Sequence, residues 1–360
     1  MDKYWVAFSS IEKLDSKFIL NLYNYFNNIE RAFYATSKEL SAIEGLSVKK
    51  CEHFLSARDK IDIDKVYNYV IQNNINVLTY ENEKYPELLK EISDPPALLY
   101  VKGDLDSCNL EKTIAIVGSR RASFNGKESL KIILKDFAGT DICIVSGLAS
   151  GIDSTAHYAA IENNLKTIGV IASGFDYVYP ESNRELYKMI INGGGAIISE
   201  YYPTFEPLKF RFPERNRIVT GLSYGTIVAE AALKSGALIS ANLTLEQSRE
   251  LMCIPGLISN PNTKGIYQLI KNGATIVTEG EDVLSALNWE VKLPEQIKLV
   301  FDDFTKDELK IIDSLEIEPK CFDNIQFETK IKTDDLLSNL TILELKGIIK
   351  KVEGDRYQRA

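Results

Sequence analysis

ICIVSGLASGIDSTAHYAAI, residues 142–161, is the stretch on which the fold turns. Its first four residues are apolar and rich in β-branched side chains, so neither face of the strand they form is polar. A strand apolar on both faces is buried on both faces, as in a parallel sheet covered by helices. The Ser-Gly turn that follows leads into DSTAHYAAIE, a helical stretch. Strand, glycine turn and helix in that order make half of a βαβ unit.

The same run recurs on either side. TIAIVG (113–118), KTIGVIASG (166–174), GGAIISE (194–200), GTIVAEA (225–231), ELMCIPG (250–256) and GATIVTE (273–279) are short, β-branched and apolar, with helical stretches between most of them. The class is α/β, a doubly wound parallel sheet over residues 113–290.

Two other patterns flank it. Over residues 1–75, Phe18, Ile19, Leu22 and Phe26 fall at helical spacing. Thr36 with Glu39 forms a capping box, and Gly45 and Ser47 separate two short helices. The result reads as a small helical domain of helix-hairpin-helix or SAM-like type. Residues 76–112 read as a connector, because Pro86, Pro95 and Pro96 interrupt any continuous helix. From residue 296 to 360 the sequence predicts three helices, over 304–316, 332–340 and from 342 onward. The third carries Ile342, Leu345, Ile348 and Ile349 on its apolar side, and a hairpin follows with Gly354-Asp355 at its tip. This is a winged-helix-like arrangement whose near-balanced charge favours protein contact over reading of duplex DNA.

The totals narrow the function. At 360 residues the chain exceeds a single core, and 45% hydrophobic with 26% charged residues is ordinary for a soluble protein. No apolar run is long enough to cross a bilayer and the start lacks a signal-peptide layout, so a cytoplasmic location is expected. Five scattered cysteines without a CxxC pair, and only His53 and His157, predict no disulfide framework, no metal and no cofactor. Net charge of -9 argues against a broad duplex-binding face but leaves room for a local basic groove.

Ligands of open α/β sheets bind beyond the carboxyl ends of the strands. There the sequence places Gly118-Ser119-Arg120, Gly147 through Gly151 to Asp153, and Ser173-Gly174. Glycine turns admit close backbone approach, and Arg120 can fork onto phosphate oxygens. Residues 209–217, KFRFPERNR, add Lys209, Phe212, Arg215, Asn216 and Arg217. GxxxxGK[ST] is absent and the first turn is GSRRAS rather than GxGxxG, which excludes P-loop and dinucleotide chemistry. His157 lies within a helix and reads as a packing residue. Cations interleaved with Phe210, Phe212, Tyr177, Tyr179, Tyr201 and Tyr202 suit single-stranded nucleic acid, whose bases are free to stack. Arg215 and Arg217 would point opposite ways on an extended chain, one of them pairing with Glu200 or Glu230.

SGLASGIDSTAHYAAI, FPERNRIVTGLS, SGALISA and CIPG, in this order after IVGSR, resemble the DNA-processing protein DprA (Smf) family over nearly the whole chain. The resemblance implies an extended Rossmann fold, a homodimer, binding and protection of incoming single-stranded DNA, and loading of the RecA recombinase onto it in natural transformation and homologous recombination. It implies no enzymatic activity. Carried onto this sequence, the DNA-binding residues are Gly118, Ser119, Arg120, Gly147, Gly151, Lys209, Phe212, Arg215, Asn216 and Arg217. Two positions depart from the pattern: Ser248-Arg249 stands where Gly-Arg is usual, and Ser150 where an arginine is usual. The alternative is a nucleotide phosphoribohydrolase of the lysine-decarboxylase-like family, whose GGxGTxxE is partly echoed by residues 223–230 and Glu230.

Overall fold

The computed structural model describes residues 2–291, 304–315, 318–352 and 354–359. The chain divides into two compact units, Met1–Pro294 and Glu295–Ala360. Residues 296–303, where the third sequence segment begins, lie outside the described residues, as do Glu316 and Glu353.

The first unit is built on a nine-stranded sheet. Its strands are β1 (Asn76–Thr79), β2 (Leu98–Gly103), β3 (Thr113–Gly118), β4 (Cys143–Ser146), β5 (Lys166–Val170), β6 (Ala196–Ser199), β7 (Gly225–Glu230), β8 (Glu250–Cys253) and β9 (Thr275–Ile276). The order across the sheet is β1-β2-β6-β5-β4-β3-β7-β8-β9. From β6 to β9 every pairing is parallel. The seven apolar runs are therefore the seven parallel strands. Ile114, Ile116, Ile144 and Ile227 pack to one side of the sheet with Leu130, Ile133 and Ala156. Ala115, Val145, Ile168 and Val228 pack to the other with Ile218, Val219 and Ala241. Burial on both faces is the condition that alternation-free strands satisfy.

The proline-rich segment 76–112 is more than a connector. It supplies β1 and β2, which extend the sheet through the antiparallel pairings β1–β2 and β2–β6. Its prolines lie between these strands, Pro86 at the start of the short helix Glu87–Lys90 and Pro95-Pro96 before β2, so they break no ladder.

Helices Asp2–Ser9, Ser16–Phe26, Ile29–Phe33, Ser37–Ser41, Val48–Arg58 and Ile63–Gln72 precede the sheet. The Thr36–Glu39 capping box is present, and Asn27 closes the second helix in the left-handed conformation. Ser47 occupies the cap position of the fifth helix but makes no side-chain cap bond. Trp5, Phe8, Phe18, Phe33 and Phe54 form one core that continues into Tyr100, Ile171, Phe175 and Tyr202 of the sheet layer. The helical segment thus packs on the sheet instead of forming a core of its own. Among the described residues no helix is long and apolar enough to cross a membrane.

The second unit has helices Lys306–Ser314, Phe322–Thr329 and Thr333–Leu345, with strands β10 (Lys320–Cys321), β11 (Ile349–Val352) and β12 (Arg356–Arg359) in the order β10-β12-β11. Helix Phe322–Thr329 was not foreseen. The two helices expected over 332–340 and from 342 are one continuous helix, ended by Gly347 at φ 69°. Ile348 and Ile349 are buried as expected, whereas Ile342 and Leu345 face solvent, Leu345 being 84% exposed. Gly354 and Asp355 both have positive φ in the turn between β11 and β12, whose last pair is Val352 with Arg356.

Candidate nucleic-acid interface

The parallel strands reverse direction of travel at β3. From there β4, β5 and β6 run one way across the sheet and β7, β8 and β9 the other. The turns after β3 and β7 diverge at that switch and leave a crevice. A cleft of about 760 Å³ lies there. Gly118, Ser119, Arg120 and Arg121 line it from β3, Ala149 and Asp153 from β4, and the segment from Ala232 to Ser240 from β7. Lys209, Phe212, Arg215 and Asn216 complete it from the side.

Tight backbone packing shapes the floor. Gly151 has φ 86°, and a Cβ there would collide with the carbonyl of Ser119. At Gly147 a Cβ would meet the Arg215 guanidinium and the Asp153 carboxylate. Ile152 N–H donates to Ser119 O at 3.1 Å, and Ser119 N–H donates to Glu230 O at 2.8 Å. Gly147 and Gly151 therefore support the cleft from behind; the cleft itself is lined by Gly118, Ser119, Arg120, Lys209, Phe212, Arg215 and Asn216.

The basic stretch folds differently from an extended chain. Arg211–Gly221 is a helix, with Pro213 in its first turn where a missing N–H breaks no bond. Residues two apart on a helix diverge by roughly 200°, so Arg215 and Arg217 still separate. Arg217 turns away from the cleft. Its Nη2 lies 2.6 Å from Glu200 Oε2 and its Nε 3.1 Å from Asp94 Oδ2. Glu200 is the partner that the sequence proposed with Glu230 as the alternative. Arg211 is buried too, donating to Glu206 O at 2.5 Å and lying 4.9 Å from the Tyr201 ring centroid. Arg215 is 3% exposed and donates through Nη1 to the carbonyls of Gly147, at 2.6 Å, and Val170. Its Nε has no partner among the described residues. Desolvation lowers the Arg215 pKa to about 10, opposed by the nearby Asp153 carboxylate. Desolvation likewise raises Asp153, against the pull of Arg215. Of the four cations in 209–217, only Lys209 stands exposed in the cleft.

Above the floor is an aromatic and cationic wall. The Arg120 guanidinium lies 5.2 Å from the Phe212 ring centroid, within cation–π range. Tyr179 meets Phe212 edge to face at 5.3 Å. Tyr202, by contrast, is a core residue. Arg120, Arg121, Lys209, Arg215 and Lys234 line the cleft against the single carboxylate of Asp153. A patch with that imbalance is positive over about a Debye length of 8–10 Å, whatever the net charge of the whole. Lys234, Arg121 and the Ser235–Ser240 wall were not singled out in the sequence. SGALISA carried the last of these as a quoted motif without a role.

Glu230 lies outside this lining. Its carboxylate accepts from Ser123 N–H at 3.0 Å and Ser123 Oγ at 2.8 Å, at the start of helix Phe124–Asp136. A carboxylate at a helix start is favoured by the dipole, and this one is 1% exposed. His157 is buried in helix Ile152–Glu162, with Nδ1 2.7 Å from Thr167 Oγ1. The Thr167 hydroxyl donates to Ile144 O at 2.8 Å, so its oxygen accepts from His157 Nδ1–H. Among the described residues no cluster of three or more metal-ligating side chains occurs.

Comparison with known proteins agrees with this architecture. The family model for DNA recombination-mediator protein A matches residues 76–288, which spans β1 to the end of the sheet domain. Protein Smf of Synechocystis sp. is 31% identical over 391 aligned residues, covering 99% of this chain and 98% of that protein. The crystal structure of DNA processing protein A from Streptococcus pneumoniae is 36% identical, with a TM-score of 0.70 over 81% of this chain and 99% of that one. DNA processing protein A from Helicobacter pylori, solved for its unique single-stranded DNA binding mode, is 30% identical, with a TM-score of 0.53 over 59% of this chain and 95% of that one. With the fold, the glycine turns and the match to the family model in agreement, the chain belongs to the DNA recombination-mediator protein A family, that of the DprA and Smf proteins.

Proposed function

We propose that this protein binds single-stranded DNA in the cleft at the β3–β7 switch. The observation that carries the reading is the concentration of five cations against one carboxylate beside two rings in edge-to-face contact, the half-buried Phe212 and the exposed Tyr179. Phosphates take the charge of Lys209, Arg120, Arg121 and Lys234. Bases take the ring faces, because stacking is indifferent to sequence and available only in a single strand. Arg215 and Arg217 act from behind: Arg215 holds the Gly147 turn, and Arg217 fixes the helix that presents Phe212 and Asn216. Gly147 and Gly151 let the two turns meet. The binding described for the Helicobacter pylori relative supports the same reading.

The wider role follows the family. In this proposal the protein works in the cytoplasm as a homodimer, protects incoming strands and loads the RecA recombinase onto them during transformation and recombination. The winged-helix-like second unit contacts protein. No catalytic step is assigned, and Glu230, which receives Ser123 at a helix start, is left without a hydrolytic role.

Fluorescence anisotropy of labelled oligo-dT, titrated at several salt concentrations with duplex as competitor, tests the binding. Wild-type protein should bind tightly, lose affinity as salt rises and prefer single strand. Lys209→Ala should weaken binding without loss of thermal stability. Failure to bind oligo-dT at low salt would remove the proposal, and release of free base from nucleoside monophosphates would replace it with the hydrolase. Sedimentation equilibrium tests the dimer, and RecA filament assembly on protein-coated single strands tests the loading.

A further inference from the structure

At the start of helix Arg211–Gly221 the chain carries a second ring that the cleft does not use. Phe210 occupies the cap position of that helix, outside the cleft lining, and is 57% exposed. Phe210 and Phe212 are two residues apart, so their side chains diverge by roughly 200° about the helix axis. Phe212 faces Arg120 and Tyr179 in the cleft. Phe210 is backed instead by the next residue. The Arg211 guanidinium lies 5.8 Å from the Phe210 ring centroid, 5.0 Å from that of Phe205 and 4.9 Å from that of Tyr201. Arg211 is itself 6% exposed and anchored to Glu206 O. The two rings behind it are held as well. The Tyr201 hydroxyl donates to Glu214 Oε2 at 3.3 Å, Phe205 N–H donates to Tyr202 O at 2.9 Å, and Gly174 N–H donates to Phe205 O at 2.7 Å. Three rings thus surround one buried guanidinium, and Phe210 is the one of the three that is mostly open to solvent.

We propose that Phe210 is a second base platform, on which the nucleotide next to the cleft stacks where the strand leaves over Lys209; the inference rests on the single-strand reading of the cleft. Lys209 lies between the two rings in the chain and lines the cleft. The phosphate that links the two bases falls to its ammonium and to the helix start, which no side chain caps and whose N–H groups favour an anion. Beyond Lys209 the charge changes sign, because Glu206 and Glu214 are exposed on the Arg211 side. That surface repels a further phosphate and accepts a flat, uncharged group, which in a nucleic acid is the base. The ring is ready for it. Its backing guanidinium is already fixed, so stacking on it orders little that was free before. Every base has a π face, so the platform reads no sequence. It lengthens the footprint on a single strand and offers nothing to a duplex, whose bases are stacked on each other.

The test measures the affinity of the full chain for a ladder of oligo-dT lengths, from a few nucleotides upward, at several salt concentrations. Wild type, Phe210→Ala and Phe210→Tyr are compared, with the thermal midpoint of each. Phe210→Ala should bind the shortest oligomers as wild type does and longer ones about tenfold more weakly. Its salt slope should be unchanged, because no cation is lost, and its thermal midpoint should stay in place. Phe210→Tyr should bind like wild type at every length. Irradiation of wild type with long oligomers carrying 5-iodouracil should cross-link a base to Phe210, located by peptide mapping, and this arm decides the matter even where Phe210→Ala does not fold. Equal affinities of wild type and Phe210→Ala at every length, or no adduct on Phe210, would overturn the platform and leave the cleft standing. So would a loss already present at the shortest length, or one accompanied by a shallower salt slope or a lower thermal midpoint, since each makes Phe210 a support for Lys209 or the helix. Failure of wild type to bind any length would remove the cleft reading and the platform with it.

Discussion

Lys209 and Arg217 bracket one short stretch and perform opposite tasks. Lys209 is exposed at the cleft and makes no ion pair among the described residues, so its removal should touch the ligand alone. Lys209→Ala should leave the thermal midpoint in place and reduce the slope of log affinity against log salt by about one, the signature of one lost phosphate contact. Arg217→Ala should behave in reverse. Its side chain and that of Glu200 are 12% and 9% exposed, and truncation strands the carboxylate in the interior. The expected loss is about 3 kcal/mol of unfolding free energy, read by urea titration. A variant as stable as wild type would show that Glu200 finds water or another donor. His157 adds a pH dependence. Burial holds its pKa down to about 3 against an ordinary 6.5. The unfolded chain takes up a proton as pH falls through 6.5, and the folded chain does not until about 3. Stability from this group is therefore complete above pH 6.5 and declines toward pH 3, by up to about 1.4 kcal/mol per unit. Asp153, with its raised pKa, works in the opposite sense on the acid side. Between pH 6.5 and 4.5 wild type should lose roughly 2.5 kcal/mol more than His157→Gln. Parallel pH profiles for the two would refute the neutral, buried imidazole.

The helix Ala237–Glu246 is followed by a residue in the left-handed conformation. Ser248 follows the cap residue with φ 56°, a left-handed backbone that a glycine adopts without steric strain. Ser248→Gly should stabilise the protein by about 1 kcal/mol, seen as a higher urea midpoint, while Arg249 keeps its 2.7 Å contact with Glu91. A lower midpoint would mean that the serine side chain compensates for its backbone. Legibility from sequence also divides at the scale of elements. The seven parallel strands could be read because most of their residues are buried on both faces, the two-residue edge strand β9 with its exposed Ile276 being the exception. The strands β1 and β2 could not, because strands separated by prolines look like connecting chain and β6, the partner of β2, lies far along the sequence. The helix Arg211–Gly221 was hidden by alternating cations and rings that mimic a strand period. The cleft's contributors were legible as turns after strands. The inward burial of Arg215 was not, because the carbonyls of Gly147 and Val170 that receive it come from other elements.

At the scale of the molecule, charge and architecture separate two roles. The chain carries net charge of -9, yet the lining of its cleft is strongly positive. Screening over about 8–10 Å is what lets both statements hold. The second unit has a different charge pattern of its own. Its longest helix, Thr333–Leu345, begins with Asp334 and Asp335, contains Glu344 and exposes Leu337 and Leu345. A helix that presents carboxylates and leucines is repelled by phosphates and suited to protein. The first unit, in contrast, contains the whole cleft and its own three cores. A protein ending at residue 291 should therefore fold and bind oligo-dT with the affinity and salt slope of the full chain. The counterion release is set by cations that all remain. Binding and slope are both measured by the same anisotropy titration, and circular dichroism confirms that the shortened chain is folded. A shallower slope in a folded, shortened protein would mean that Lys346, Lys350, Lys351 or Arg356 reaches the strand, which would move the second unit from protein contact to DNA contact.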